Sequence, residues 1–112
     1  MGQKIQSIGG SPLDTITLTA TDDTVKTLSA AVLSRLGALR VDDKHDTFHV
    51  MITVETYGIR FAFGVDPVPS GLGKPVYPSQ DIHLDSRSQA RRFRYCNATA
   101  GENSVLHIYP EV

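Results

Sequence analysis

The sequence predicts an all-β fold, an antiparallel β-sandwich or barrel-like domain with one short α-helix. Apolar and polar residues alternate with period two in several stretches, as expected of strands that bury one face. Segments rich in Gly, Pro, Asn and Asp separate these stretches. With 112 residues, the chain is long enough for one hydrophobic core. We assign residues 1–12 to a flexible N-terminal arm and residues 13–112 to a single β-sandwich domain.

The middle of the chain, residues 48–64, shows the clearest alternation. Two runs of alternating apolar residues are separated by Thr56, Tyr57 and Gly58, and Gly58 can adopt the positive φ that a short reversal needs. We therefore predict an antiparallel hairpin at the centre of the domain. Its inward residues are Phe48, Val50, Ile52, Val54, Ile59, Phe61 and Phe63.

Further strands are predicted on both sides of this hairpin, because the same period-two pattern recurs. They cover residues 15–19, 81–85, 92–96 and 105–109. Ser86 is expected to cap one helical turn that ends near Ala90. Together with the hairpin, these strands predict one core. Its members are Ile16, Leu18, Val50, Ile52, Val54, Ile59, Phe61, Phe63, Ile82, Leu84, Phe93, Leu106 and Ile108.

Residues 25–36 are predicted to form the one short helix, because their apolar residues recur at helical spacing. Asp23 or Thr24 can cap its first turn, and Gly37 suits a left-handed stop. The many alanines and serines give this helix little apolar area. We therefore expect it to close one end of a sheet. The residues of its apolar face are Val25, Leu28, Val32 and Leu36.

Two irregular segments are predicted to contact neighbouring molecules. The arm, residues 1–12, has two isolated isoleucines and no usable period, so these side chains need a partner surface. Residues 65–75 contain three prolines and two glycines, which preclude a regular element and predict a long exposed loop. The candidate contact residues in the two segments are Ile5, Ile8, Pro67, Pro69 and Leu72.

The composition excludes several classes of protein. The formal net charge is −1, with 11 basic and 12 acidic residues, whereas nucleic-acid binders need an excess of cations against phosphate. We therefore expect no nucleic-acid partner. No apolar run approaches the roughly 20 residues that cross a bilayer, so we expect no membrane partner and no export signal. The single cysteine, Cys96, fits a reducing compartment.

No pattern in the sequence predicts catalysis, a cofactor or a metal site. His49, His83 and His107 lie on the polar side of predicted strands, where two could meet, but no paired spacing such as His-x-His is present. Residues 42–46 are acidic yet lack the calcium-loop pattern and are predicted to be a solvated turn. A nucleophile elbow and a phosphate-binding loop are also missing. We therefore predict that the protein is not an enzyme.

Four arginines lie close together near the C-terminal third of the chain. No aromatic residues interleave with them on the same face, so stacking on bases is not supported. Arginine favours protein interfaces, where its planar guanidinium pairs with carboxylates. We predict a protein interface in preference to a nucleic-acid site. Its candidate residues are Arg87, Arg91, Arg92 and Arg94.

Five short stretches, taken in order, resemble small structural proteins of tailed bacteriophages, of the capsid-associated or decoration type. The similarity covers about residues 13–112 and rests on their order: a threonine-rich strand, a small-residue helix, an Ile-Arg-Phe strand, a further strand and an Asn-Ala-Thr-Ala-Gly turn. The stretches are Thr15-Ile16-Thr17-Leu18-Thr19-Ala20, Leu28-Ser29-Ala30-Ala31-Val32-Leu33, Gly58-Ile59-Arg60-Phe61-Ala62-Phe63, Asp81-Ile82-His83-Leu84-Asp85 and Asn97-Ala98-Thr99-Ala100-Gly101.

This resemblance implies a non-enzymatic virion protein that is assembled in the host cytoplasm. We expect it to form a homo-oligomer, such as a trimer, or to bind the major capsid protein or another virion protein. It leaves a head or a tail position open. The alternative is a tail or surface-located module that binds a carbohydrate or receptor, for which Tyr57, Tyr77 and Tyr109 are the candidate residues.

Overall fold

The computed structural model describes residues 15–39 and 48–111, which contain eight strands and two short helices. All strand pairs are antiparallel. The predicted all-β class is therefore confirmed. The elements are β1 (Ile16–Ala20), β2 (Lys26–Thr27), α1 (Ala30–Arg35), β3 (His49–Glu55), β4 (Ile59–Phe63), β5 (Lys74–Val76), β6 (Asp81–Leu84), α2 (Arg87–Arg92), β7 (Phe93–Asn97) and β8 (Ser104–Glu111).

The strands form two four-stranded sheets with corresponding orders. Sheet I has the order β1-β8-β3-β6, and sheet II has the order β2-β7-β4-β5. The strands of the pairs β1/β2, β3/β4, β5/β6 and β7/β8 therefore occupy the same position in opposite sheets. This is the strand order of a jelly roll, an eight-stranded sandwich built from two Greek keys.

The predicted central hairpin is wrong. Strand β3 pairs with β6 and β8 in sheet I, whereas β4 pairs with β5 and β7 in sheet II. The turn between them, in which Thr56 and Gly58 have φ of 86° and 139°, carries the chain from one sheet to the other. The alternation is the same in a hairpin and in such a crossover, because both place the same residues on the inner face.

The predicted helix over residues 25–36 is shorter than expected. Helix α1 spans Ala30–Arg35, and its cap is Ser29, whose Oγ accepts a hydrogen bond from the Val32 amide at 3.2 Å. Neither Asp23 nor Thr24 caps it. Lys26 and Thr27, near the start of the predicted helix, instead pair with β7 as strand β2. Backbone hydrogen bonds to this distant strand outweigh the weak helical preference of the local sequence. Gly37 is left-handed (φ 72°) as expected.

A second helix, α2, is longer than the single turn predicted after Ser86. The serine does cap it, since its Oγ accepts a hydrogen bond from the Gln89 amide at 3.1 Å. The predicted core is confirmed, with most of its members fully buried between the sheets. The three that are only partly buried, packed against that core, are Leu18, Phe61 and Phe63.

Two sequence predictions lie outside the described residues. They concern the N-terminal arm, with Ile5 and Ile8, and the acidic turn at residues 42–46. Within the described part of the chain, neither helix is long and apolar enough to cross a membrane.

Candidate functional site: surfaces of the sandwich

The loop between β4 and β5, residues 64–73, folds back over the outer face of sheet II; we call it the strap. Its centre is held by Arg60, whose guanidinium donates to the carbonyl oxygens of Gly71 and Gly73, both at 2.9 Å. The same side chain donates to the carbonyl of Ala98 at 3.2 Å. One cation therefore satisfies two carbonyl oxygens of the loop, which would otherwise be left to water, and links them to the carbonyl of Ala98 at the end of β7.

The strap is thus not the freely exposed loop that its composition predicts. Pro67 is fully buried and therefore cannot contact a neighbouring molecule as predicted. Pro69 is half-buried, and Leu72 is 56% exposed. The amide of Ser70 also donates to the Ala98 carbonyl, at 2.8 Å, and ties the strap to the end of β7. Of the three predicted contact residues here, Leu72 is the most accessible.

Cys96 lies on the outer face of sheet II, directly opposite Arg60 in the β4–β7 pairing. It is completely buried, and that burial raises the pKa of the Cys96 thiol, while the nearby Arg60 guanidinium offsets part of the rise. A neutral, covered thiol is a poor nucleophile and a poor metal ligand. Cys96 is therefore expected to be unreactive while it stays buried.

The four predicted interface arginines are divided between the interior and the surface. Arg87 is 5% exposed, donates to the Gly37 carbonyl at 2.8 Å and lies 5.6 Å from the centre of the Phe48 ring. The prediction that Arg87 contacts a neighbouring molecule is therefore wrong, because its guanidinium is buried and holds the end of α1 in the same chain. Arg91 is exposed but also donates to this segment, at the Ala38 carbonyl, over 2.9 Å.

The remaining two arginines, Arg92 and Arg94, lie at the surface beside the strap. The guanidinium of Arg92 lies over Gly64, where an added Cβ would be 2.8 Å from its Nη2 atom. Arg94 pairs with Asp66 of the strap at 2.7 Å. Arg91, Arg92 and Arg94 are not buried and stay available as parts of an interface, and of these Arg92 and Arg94 lie beside the strap.

A polar network closes one end of the sandwich. The buried amide of Asn97 donates through Nδ2 to Asp23 Oδ1 and Asn103 Oδ1, both at 2.9 Å, and the Gly101 amide donates to the same Asp23 oxygen. The Gly101 amide, followed by Asn97, lowers the pKa of the Asp23 carboxyl. This arrangement joins the turn after β1 to the turn between β7 and β8, so its role is structural.

The outer face of sheet I carries three of the four histidines. His49 and His83 meet across β3 and β6, with His49 Nε2 2.8 Å from His83 Nδ1. His107, on β8, contacts Thr17 Oγ1 at 3.1 Å and Glu55 Oε1 at 2.9 Å. Among the described residues, no group of three or more His, Cys, Asp or Glu is arranged to hold a metal ion.

Sequence reasoning missed two features of these surfaces. It gave no role to Arg60, although an arginine on a strand that precedes a Gly- and Pro-rich loop can donate to the unpaired carbonyl oxygens of that loop. It allowed two histidines to meet, but the pairing of His49 with His83 depends on the β3–β6 register, for which no local signal exists. Comparisons with protein-family models, curated proteins and solved structures gave no match.

Proposed function

We propose that the protein is a non-enzymatic structural component of a virus particle, which acts by self-association or by binding the capsid lattice. The observation that carries the proposal is the jelly-roll order of the two sheets. Viral capsid proteins commonly use this architecture, and lectins use it as well. The same fold serves many unrelated functions, and the surface of the strap gives this role independent support.

The strap supplies the surface that supports association. It displays Val65, Val68 and Leu72, which are 52%, 50% and 56% exposed. Clustered exposed apolar side chains are typical of interaction sites. Because Arg60 holds the strap backbone by hydrogen bonds to the carbonyls of Gly71 and Gly73, little conformational entropy is lost when a neighbour docks on it.

Charged groups at the edge of the strap complete this surface. Arg92 and Arg94 lie beside it, and Asp66 pairs with Arg94. An apolar centre with a polar rim that contains arginine is the usual composition of a protein interface. We therefore retain Leu72, Arg92 and Arg94 as interface residues of the proposed assembly, and Ile5 and Ile8 as additional anchors from the arm.

The mass of the purified chain, measured by native mass spectrometry and light scattering, tests the proposal. We expect a defined oligomer. Leu72→Asp should dissociate it while the separate chains stay folded, as circular dichroism would show, since the side chain is exposed. Leu39→Asp is the matched control, because Leu39 is 49% exposed and lies outside the strap. A monomeric wild-type chain that also fails to sediment with virus particles would overturn the proposal.

The alternative function is carbohydrate or receptor binding. Tyr57 and Tyr77 are 54% and 45% exposed, and the Tyr77 ring packs over Gly58, which follows Tyr57 in the chain. Aromatic faces of this kind can stack on a sugar ring. Specific binding on a glycan array that is lost in Tyr57→Ala would favour this function, whereas an oligomer without glycan binding favours the structural role.

A further inference from the structure

The pair His49 and His83 is positioned by the buried side of sheet I. Strands β3 and β6 are antiparallel, with Met51 opposite His83 and Val50 opposite Leu84. Val50 and Leu84 are 1% and 0% exposed, so the core holds this register. The two imidazoles therefore meet on the outer face, with ring centres 5.1 Å apart and planes inclined at 55°.

The facing atoms are both nitrogens that can bind a metal. His49 Nε2 and His83 Nδ1 are 2.8 Å apart, a distance that corresponds to one shared proton. We propose that a divalent transition metal can take the place of this proton, which moves to the other nitrogen of the donor ring as that imidazole changes tautomer, so that the two neutral imidazoles form a cis pair of ligands. Nothing in this proposal depends on the proposed virion role.

The distance between the nitrogens favours particular ions. With metal–nitrogen bonds of ~2.05 Å, two ligands at a right angle lie ~2.9 Å apart, and two tetrahedral ligands lie ~3.3 Å apart. The observed 2.8 Å is closer to the right-angle value, which Cu²⁺ and Ni²⁺ adopt in planar or octahedral complexes. The rings must tilt so that both lone pairs converge on the ion, and the exposure of the pair on the outer face leaves room for this.

The immediate surroundings also favour a cation. The Asp85 carboxylate lies at the end of β6, with Oδ1 3.9 Å from His49 Nε2 and its side chain 72% exposed. It adds negative charge and can approach a bound ion. Among the residues that the structure describes, no third His, Cys, Asp or Glu ligand is already in place, so water can complete the coordination. The affinity for Cu²⁺ should exceed the affinity for Ni²⁺.

Titration of the full-length chain with Ni²⁺ by calorimetry tests the site, because Ni²⁺ does not oxidise the Cys96 thiol. We expect one ion per chain. His49→Asn and His83→Asn should each weaken binding by at least ~10-fold, since even the loss of a second-shell partner costs ~10–100-fold. His107→Asn is the matched control on the same face and should bind Ni²⁺ like the wild type.

A second measurement needs no variant. Paramagnetic Ni²⁺ should broaden the ring resonances of His49 and His83 at lower metal concentration than those of His107. Broadening of all three to the same extent would overturn the site. Unchanged affinity in both His49→Asn and His83→Asn, or an equal loss in His107→Asn, would also overturn it.

Discussion

Ser104 and Gly58 exchange two hydrogen bonds where the chain crosses from sheet I to sheet II. The Gly58 amide donates to Ser104 Oγ at 2.7 Å, and the same hydroxyl donates to the Gly58 carbonyl at 2.7 Å. Both residues are buried, and they are 46 positions apart in the sequence. A single hydroxyl therefore joins the crossover between β3 and β4 to the first residue of β8.

Replacing Ser104 by Ala should lower the free energy of unfolding by about 1–3 kcal/mol, because the Gly58 amide loses its partner in a buried place. The carbonyl of Gly58 still accepts a hydrogen bond from the Ala98 amide at 3.2 Å, which limits the loss. Urea denaturation measures the change. Ser34→Ala on the exposed side of α1 is the control and should stay within about 0.5 kcal/mol. Equal losses in the two variants would contradict the importance of the buried hydroxyl.

Gly58→Ala should destabilise the protein more than Gly37→Ala does. A Cβ at Gly58 would lie 2.7 Å from Cδ1 of Tyr77 and 2.9 Å from the Val76 carbonyl, at φ of 139°. At Gly37, φ is 72° and no atom lies within 4 Å, so only backbone strain of about 1–2 kcal/mol applies. Melting temperatures of the two variants separate steric conflict from strain. A larger fall in melting temperature in Gly37→Ala than in Gly58→Ala would show that the turn between β3 and β4 shifts to make room for the added methyl group.

Phe93→Ala should cost about 3–5 kcal/mol of stability, since its ring is completely buried. The ring is the centre of an aromatic cluster, with centroids 5.5 Å from Phe61, 6.2 Å from Phe63 and 5.7 Å from Tyr95. Phe61 is only partly buried, so Phe61→Ala should cost less. The denaturant midpoints of the two variants measure which substitution costs more stability. A larger loss in Phe61→Ala would show that Phe61 is the centre of the cluster.

Arg60→Ala should open the strap and expose Cys96 to thiol reagents. The variant removes three hydrogen bonds to carbonyl oxygens, whereas Arg94→Ala removes one exposed ion pair, which contributes at most about 1 kcal/mol. Cys96 is the single cysteine, so the rate of labelling by a disulfide reagent reports the opening directly. Faster labelling of Cys96 in Arg94→Ala than in Arg60→Ala would show that Arg60 is not the residue that holds the strap in place.

Asp23→Asn should make the free energy of unfolding less dependent on pH in the acid range. The folded-state pKa of Asp23 lies below its ordinary value of 3.8 because of hydrogen bonds from Gly101 and Asn97. Its contribution is therefore fully present above about pH 4 and is lost as the pH falls through the folded-state pKa. Asparagine tolerates the positive φ of 57° at this position, so the backbone is preserved.

Urea denaturation between pH 2 and pH 6 measures this effect. Asp22→Asn is the control, because it removes the same charge from the same turn, also at positive φ, without touching the network. The wild type and the control should lose stability together in acid, while Asp23→Asn loses less. If the free energy of unfolding falls equally with pH in all three proteins, the Asp23 carboxylate does not contribute to the loss of stability in acid.

The local pattern of the sequence was sufficient to predict the class of fold and the core. Val50, Ile52 and Leu106 alternate with polar residues, and each of them is buried. Burial depends on which face of a strand a residue occupies, and this face follows from the period of two alone. Gly37 and Ser86 were predictable for a similar reason, because φ preference and capping are set by neighbouring residues.

The partners of each strand were decided only by the tertiary structure. A period-two pattern leaves open whether β3 pairs with β4 or with β6 and β8, since backbone donors and acceptors are the same in every strand. The candidate surfaces depend on that choice: His49 meets His83 through the β3–β6 pairing, and Arg60 reaches Ala98 through the β4–β7 pairing. Contacts across 34 and 38 positions are set by how two sheets close on one core, which no local sequence pattern determines.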